Sequence, residues 1–349
     1  MSCESAANFY SELLQTTLEH CRRGYAKPLK TTTDGANKLV EKQLLTLITT
    51  RLLLTDQNLM GKFGNARFRG LNAARQGDLM AADCAFAEAR VPLQLNKLSL
   101  EGSLLYESLL EQSESYLDYR RGDFEKARNR IFKAIANDIV LESEYGYEIL
   151  FLHRIHLVHN LVRIDAQRRC FESALELACQ ILSYLEGVSE VLPIPGIWGY
   201  ERVARQSPEL VAVMFAEVTN EIAIILAGQK RQLARHLFAV TFAQMHLQTN
   251  DNRHCHPQAY IWLFIKQAFV NNDFTTFLER ASDFLAFGRA DTPLLWYATV
   301  IDLITLWDEL ALPDSELVRL EVASNMATWE KLPQKFSSLL CVCANTEAA

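Results

Sequence analysis

Apolar residues recur every three or four positions along almost the whole chain. In Leu39-Val40-x3-Leu44-Leu45-x-Leu47-Ile48-x3-Leu52-Leu53 the spacing is that of one helix face. Strict alternation over a strand length is hard to find, and Asp34-Gly35 is the one hairpin-type dipeptide. A period near 3.6 marks helices rather than strands, so the chain reads as all-α. Breakers stand tens of residues apart, as separators of helical pairs would: Pro28, Gly77-Asp78, Pro92, Gly122-Asp123, Gly228, Pro257, Asn271-Asn272-Asp273, Pro293 and Pro313. Their densest cluster, Pro193-Ile194-Pro195-Gly196-Ile197-Trp198-Gly199, cannot lie inside a helix. We read residues 187–207 as a loop between halves, with Pro208 opening the next helix. Ile194, Ile197, Trp198 and Tyr200 make the loop apolar enough to pack.

Half of the 349 residues are apolar, which is ample for a continuous core. The net charge of -7 speaks against a nucleic-acid partner and against docking on an anionic membrane. The short pairs Arg22-Arg23, Arg120-Arg121 and Arg168-Arg169 are expected on solvated faces. The most apolar stretches, 209–228 and 296–312, are interrupted by Glu217, Asn220 and Glu221 and by Asp302, Asp308 and Glu309, so no membrane span is expected. The first residues lack a basic and then apolar leader. Eight scattered cysteines without a CxxC suit core positions in a reducing compartment, so a cytoplasmic location is expected.

An internal repeat narrows the fold. Gly77-Asp78-Leu79-x2-Ala82-x3-Phe86-x2-Ala89 and Gly122-Asp123-Phe124-x2-Ala127-x3-Ile131-x2-Ala134 share one spacing. Each is a turn followed by a helix carrying a small, a large and a small residue, so that a partner helix can approach closely. Looser copies are Phe171-x2-Ala174-x3-Ala178-x2-Ile181, with Arg169-Cys170 in place of the turn, Leu233-Ala234-x3-Phe238, and Asn272-Asp273-Phe274-x2-Phe277-x3-Ala281-x2-Phe284. The spacing resembles the second half of a tetratricopeptide repeat, with Gly70 where that family favours a small residue on the first helix. The chain is also similar to the helical-repeat sensor regions of some bacterial regulators. The resemblance spans about five hairpins, from roughly 63 to 288, which begin farther apart than the family's unit of about 34 residues. It implies a right-handed α-solenoid of stacked antiparallel helical hairpins. The expected parts are capping helices at 1–62, hairpins at 63–186 and 208–292 about the 187–207 loop, and closing helices with a tail at 293–349.

In such a solenoid the first helices line the concave face. That face would present Arg67, then Gln112, Tyr116, Tyr119 and Arg120, then His156, His159, Asn160 and Arg163, then Asn220, then Trp262 and Lys266. Arg, Tyr and Trp are common interface anchors. The resemblance implies that Asn160 and Asn220, at one repeat position, hydrogen-bond the backbone of an extended peptide.

Catalytic signals are weak. His153-x2-His156-x2-His159 places its outer members about 120° apart round a helix, and no carboxylate completes an HExxH pattern. His254-Cys255-His256 and Cys341-Val342-Cys343 sit at a helix boundary and in a terminal segment. There is no GxGxxG, GxxxxGK[ST] or GxSxG, and glycine is scarce. We therefore expect no cofactor, no metal and no catalytic residue. The expected activity is a non-catalytic scaffold or adaptor that holds a protein or peptide partner and self-associates as a dimer. The alternatives are a peptide-sensing receptor whose solenoid changes shape, and an all-helical enzyme with a His-based metal site.

Overall fold

The computed structural model describes residues 3–27, 33–245, 255–290, 292–312, 315–326 and 332–340. Among the described residues it is all-α, without a strand. In chain order the helices are α1 (Cys3–Tyr25), α2 (Thr33–Arg51), α3 (Leu54–Gln76), α4 (Leu79–Gln94), α5 (Leu100–Arg121), α6 (Phe124–Tyr145), α7 (Leu150–Gln167) and α8 (Phe171–Leu185). There follow α9 (Tyr200–Ala204), α10 (Pro208–Leu226), α11 (Arg231–Met245), α12 (Pro257–Val270), α13 (Phe274–Phe287), α14 (Pro293–Glu309), α15 (Ser315–Met326) and α16 (Gln334–Leu340). No helix is long and apolar enough to cross a membrane among the described residues.

The chain divides into a middle unit, Asp34–Met214, and a terminal unit formed by Met1–Thr33 with Phe215–Ala349. In the middle unit packing is sequential: α3 on α4, both on α5, α5 on α6, α6 on α7, α7 on α8, and α8 on α9. In the terminal unit α11 packs on α12, α12 on α13 and α14, and α14 on α15 and α16. Residues 1–62, expected as one cap, are split between the units, because α1 packs on α13 and α14. Leu14, Leu18 and Cys21 form its buried stripe, and Thr17 Oγ1 lies 2.8 Å from Ser282 Oγ. At Gly24 the approach is so close that a Cβ would overlap the Leu285 carbonyl. The boundary between units falls inside α10, not in the 187–207 loop.

Four inter-helix turns share one geometry. Gly77, Gly122, Arg169 and Asn272 have φ of 86°, 83°, 64° and 62°. The next amide in each case donates back across the helix end: Asp78 to Ala73, Asp123 to Asp118, Cys170 to Asp165 and Asp273 to Ala268, at 2.9–3.0 Å. This left-handed cap satisfies a carbonyl that the helix leaves over. Asp78 and Asp273 also accept from Ala81 N and Thr276 N, capping the following helix. The positions of the small–large–small pattern are buried in every copy, including Ala82, Phe86 and Ala89, Ala127, Ile131 and Ala134, and Phe277, Ala281 and Phe284. Phe86 lies across Gly70, where a Cβ would come within 2.9 Å of its ring. Pro92, expected as a separator, sits inside the last turn of α4, where a proline removes only one helical hydrogen bond.

The stretch expected as a loop at 187–207 packs in part: Ile194 and Trp198 are half-buried, Ile197 and Tyr200 are exposed, and its end forms the short helix α9. The guanidinium of the buried Arg154 lies 4.2 Å from the Trp198 ring, pairs with Glu142, and donates to the Ile197 carbonyl at 2.9 Å. Trp198 Nε1 donates to the Ile194 carbonyl, and Tyr184 Oη donates to the Gly199 carbonyl. The expected closing pair corresponds to α14 and α15, and α16 adds a helix that the periodicity had not marked. Cys21 and Cys179 are buried, whereas Cys84 and Cys170 are exposed. His254, Cys341, Cys343 and the last five residues lie outside the described residues.

Two substitutions probe these contacts by urea denaturation of the full chain. Gly70→Val is expected to lower stability by about 2 kcal/mol, the scale of an overpacked core site. Arg169→Gly, which relieves a left-handed conformation at an exposed side chain, is expected to raise it by roughly 1 kcal/mol.

Candidate functional site

The helix α5 has two chemically different faces. Towards α4 and α6 it presents Glu107, Glu111, Glu114 and Asp118, at offsets of three and four that place them on one stripe. Glu111, Glu114 and Asp118 are buried. Arg90 of α4 reaches Glu111 at 3.1 Å and Glu114 at 2.5 Å. From α6, Arg130 reaches Glu111 and Asp118 at 2.6 Å, Lys126 reaches Asp118 at 2.9 Å, and Lys133 reaches Glu107 at 2.7 Å. Burial alone would raise the Glu111 carboxyl, but the hydrogen bond and charge of Arg130, with Arg90, outweigh it and hold its pKa below the ordinary 4.5. Burying so many charges is expensive unless each is paired, and here the pairing is mutual.

The other face of α5 opens on a cavity of about 250 Å³ lined by Gln112, Ser115, Tyr116 and Tyr119, and across it by Asn160, Arg163 and Ile164 of α7. The helices α5 and α7 both pack on α6, which spaces them apart. Tyr116 and Tyr119 stack with centroids 5.9 Å apart. Arg120 is exposed at the rim, donating to the Arg75 carbonyl at 3.2 Å and to Tyr116 Oη at 3.4 Å. Arg163 Nη1 donates to Asn160 Oδ1 at 3.2 Å, so the amide nitrogen is what Asn160 offers as a donor. Tyr116 and Tyr119 are thus brought to one place with Asn160 and Arg163, which follow them by more than 40 residues in the chain.

The remaining candidates lie elsewhere. His159 is fully buried and His156 half-buried on α7, their rings edge-on at 6.1 Å. His153 points instead to α6, where its Nδ1 donates to the wholly buried Asp138 at 2.7 Å, while Ser108 Oγ donates to the same carboxylate at 2.6 Å. The three imidazoles do not form one cluster, as their walk round the helix implies. Arg67 is half-buried and lines a separate groove with α2. In the terminal unit Asn220 is half-buried on α10. Trp262 is fully buried, and Lys266 is buried in a pair with Asp302 at 2.7 and 2.8 Å. Neither is presented to solvent, because α12 is covered by α11, α13 and α14. Burial pushes the Asp302 carboxyl up, with Lys266 opposing. The acidic and basic stripes of α5 and α6 went unread in the sequence, although Glu107, Glu111, Glu114 and Asp118 against Lys126, Arg130 and Lys133 carry a helical period.

The ion network makes stability depend on acidity. A carboxyl held below its unfolded value stabilises the fold above that value, and the contribution disappears as pH falls through the folded-state pKa. The urea midpoint of the middle unit is expected to drop as pH is lowered from about 6 to about 3, and Glu111→Gln is expected to flatten part of that slope. At neutral pH the same variant leaves Arg90 and Arg130 short of a partner and is expected to lose roughly 3 kcal/mol.

No family model, curated protein or solved structure matches this chain.

Proposed function

We propose that this chain is a tetratricopeptide-like helical-repeat scaffold, a right-handed solenoid of antiparallel hairpins, that binds a protein or peptide segment and catalyses no reaction. The observation that carries the proposal is the cavity between α5 and α7, where Tyr116, Tyr119, Asn160 and Arg163 meet. Aromatic faces give contact area at little entropic cost, and a side-chain amide beside a guanidinium bonds backbone or side-chain carbonyls. At about 250 Å³ the cavity is smaller than sites for drug-sized ligands, which run from about 300 to 1,000 Å³. It suits an anchoring side chain of a longer segment. The repeated left-handed turns and buried small–large–small positions support the repeat reading.

Peptides selected from a display library against the full chain, then titrated against variants, test this. The expected result is micromolar binding, weakened about tenfold or more, or roughly 1.4 kcal/mol, in Tyr119→Ala and in Asn160→Ala. Peptides that bind both variants as well as the parent would place the recognition surface elsewhere. Failure to select any peptide would leave the scaffold reading without its ligand class.

A further inference from the structure

A second concavity in the middle unit has a different chemistry. It measures about 500 Å³ and is walled by α2, α3 and α5, with Leu44 and Ile48 on one side, Met60 and Phe68 on α3, and Leu109 opposite. Its volume lies within the range of small-molecule sites, and its walls are mainly apolar. Arg67 is the one charged side chain among its lining residues.

Arg67 differs from four other enclosed arginines of this unit. Arg90, Arg128, Arg130 and Arg154 each pair with a carboxylate. Arg67 has no ion pair among the described residues: its Nη1 donates to Ser113 Oγ at 2.9 Å, and its guanidinium lies 4.4 Å from the Phe68 ring. Loss of solvent pulls its pKa below the usual arginine range, and the Tyr106 phenol opposes this only in part. An enclosed guanidinium without a counterion destabilises the free protein, and it presents a fork matched to a carboxylate.

The glycines of α3 point the same way. Gly61 and Gly64 lie inside the helix and line the groove, and a Cβ at either would meet nothing within 4 Å. Internal packing therefore does not require them, in contrast to Gly70 on the same helix. Glycine within a helix lowers stability relative to alanine. Both lie on the groove wall beside Arg67, where the lack of a side chain leaves open space.

We propose that the groove walled by α2, α3 and α5 is a binding site for a small amphiphilic anion, an aliphatic chain ending in a carboxylate. The carboxylate pairs with Arg67, and the chain lies along Ile48, Met60 and Leu109 above Gly61 and Gly64. This site is distinct from the cavity between α5 and α7 and does not depend on that cavity's function.

Calorimetric titration of the full chain with decanoate, below its micelle-forming range, and in parallel with 1-decanol, tests the proposal. The expected result is saturable one-to-one binding of decanoate. Arg67→Met should weaken decanoate about tenfold or more and leave decanol unchanged. Its fold should persist, since it removes an uncompensated charge and Ser113 Oγ keeps its bond to the Leu109 carbonyl. Gly64→Leu places a strong helix former in open space and should abolish binding of both ligands, with the helical circular-dichroism signal retained. Absence of saturable decanoate binding, or binding that ignores both variants, would overturn the site. Equal loss of decanoate and decanol in Arg67→Met would overturn the carboxylate pairing.

Discussion

Where Phe86 of α4 crosses Gly70 of α3, no Cβ stands between a ring and a helix backbone. The rest of the middle unit is built on contacts of this kind. Ala82 and Ala89 flank Phe86 and are wholly buried, so α4 lies close along α3 and not merely at one point. The same small–large–small arrangement brings Ala127, Ile131 and Ala134 of α6 into the core beside α5. Close helix approach has a geometric precondition, which is that the chain must reverse tightly. The left-handed residues at 77, 122, 169 and 272 supply the reversal and satisfy a leftover carbonyl at the same time.

With its neighbours so placed, α5 serves two purposes. Its acidic stripe is locked to cations of α4 and α6, and its aromatic face, turned the other way, meets α7 across the candidate cavity. A buried multi-ion network is a poor source of net stability, but it is demanding about geometry, because each misplaced charge would be left unpaired in a poorly solvated place. In this protein the network fixes the rotation of α5, and with it the direction in which Tyr116 and Tyr119 face.

The repeat motifs could be read from the sequence because they are local: a turn residue, its capping neighbour and the following apolar period all lie within about four helical turns. Even the irregular copy with Arg169-Cys170 adopts the same backbone as its glycine counterparts, since the hydrogen bond that closes the turn belongs to the main chain. Five of the expected groove residues, Gln112, Tyr116, Tyr119, Asn160 and Arg163, line one cavity, since two helices that share a partner in consecutive pairs face each other. Trp262 and Lys266 follow the same spacing but are covered. Whether a helix face meets solvent depends on how many neighbours it has, and α12 has three.

The sequence by itself determined the helical content, the left-handed turns and the buried small–large–small positions that follow them, since those follow from a period of 3.6 and from main-chain geometry. Tertiary structure alone decided that α1 packs on α13, that Lys266 meets Asp302, and that Arg90 and Arg130 share Glu111 while Arg67 has no carboxylate partner among the described residues. Thr17 and Ser282 meet across a separation of 265 residues, and no local period encodes such a meeting. Which charges become enclosed, and whether each then finds a partner, is settled only when surfaces distant in sequence exclude water together.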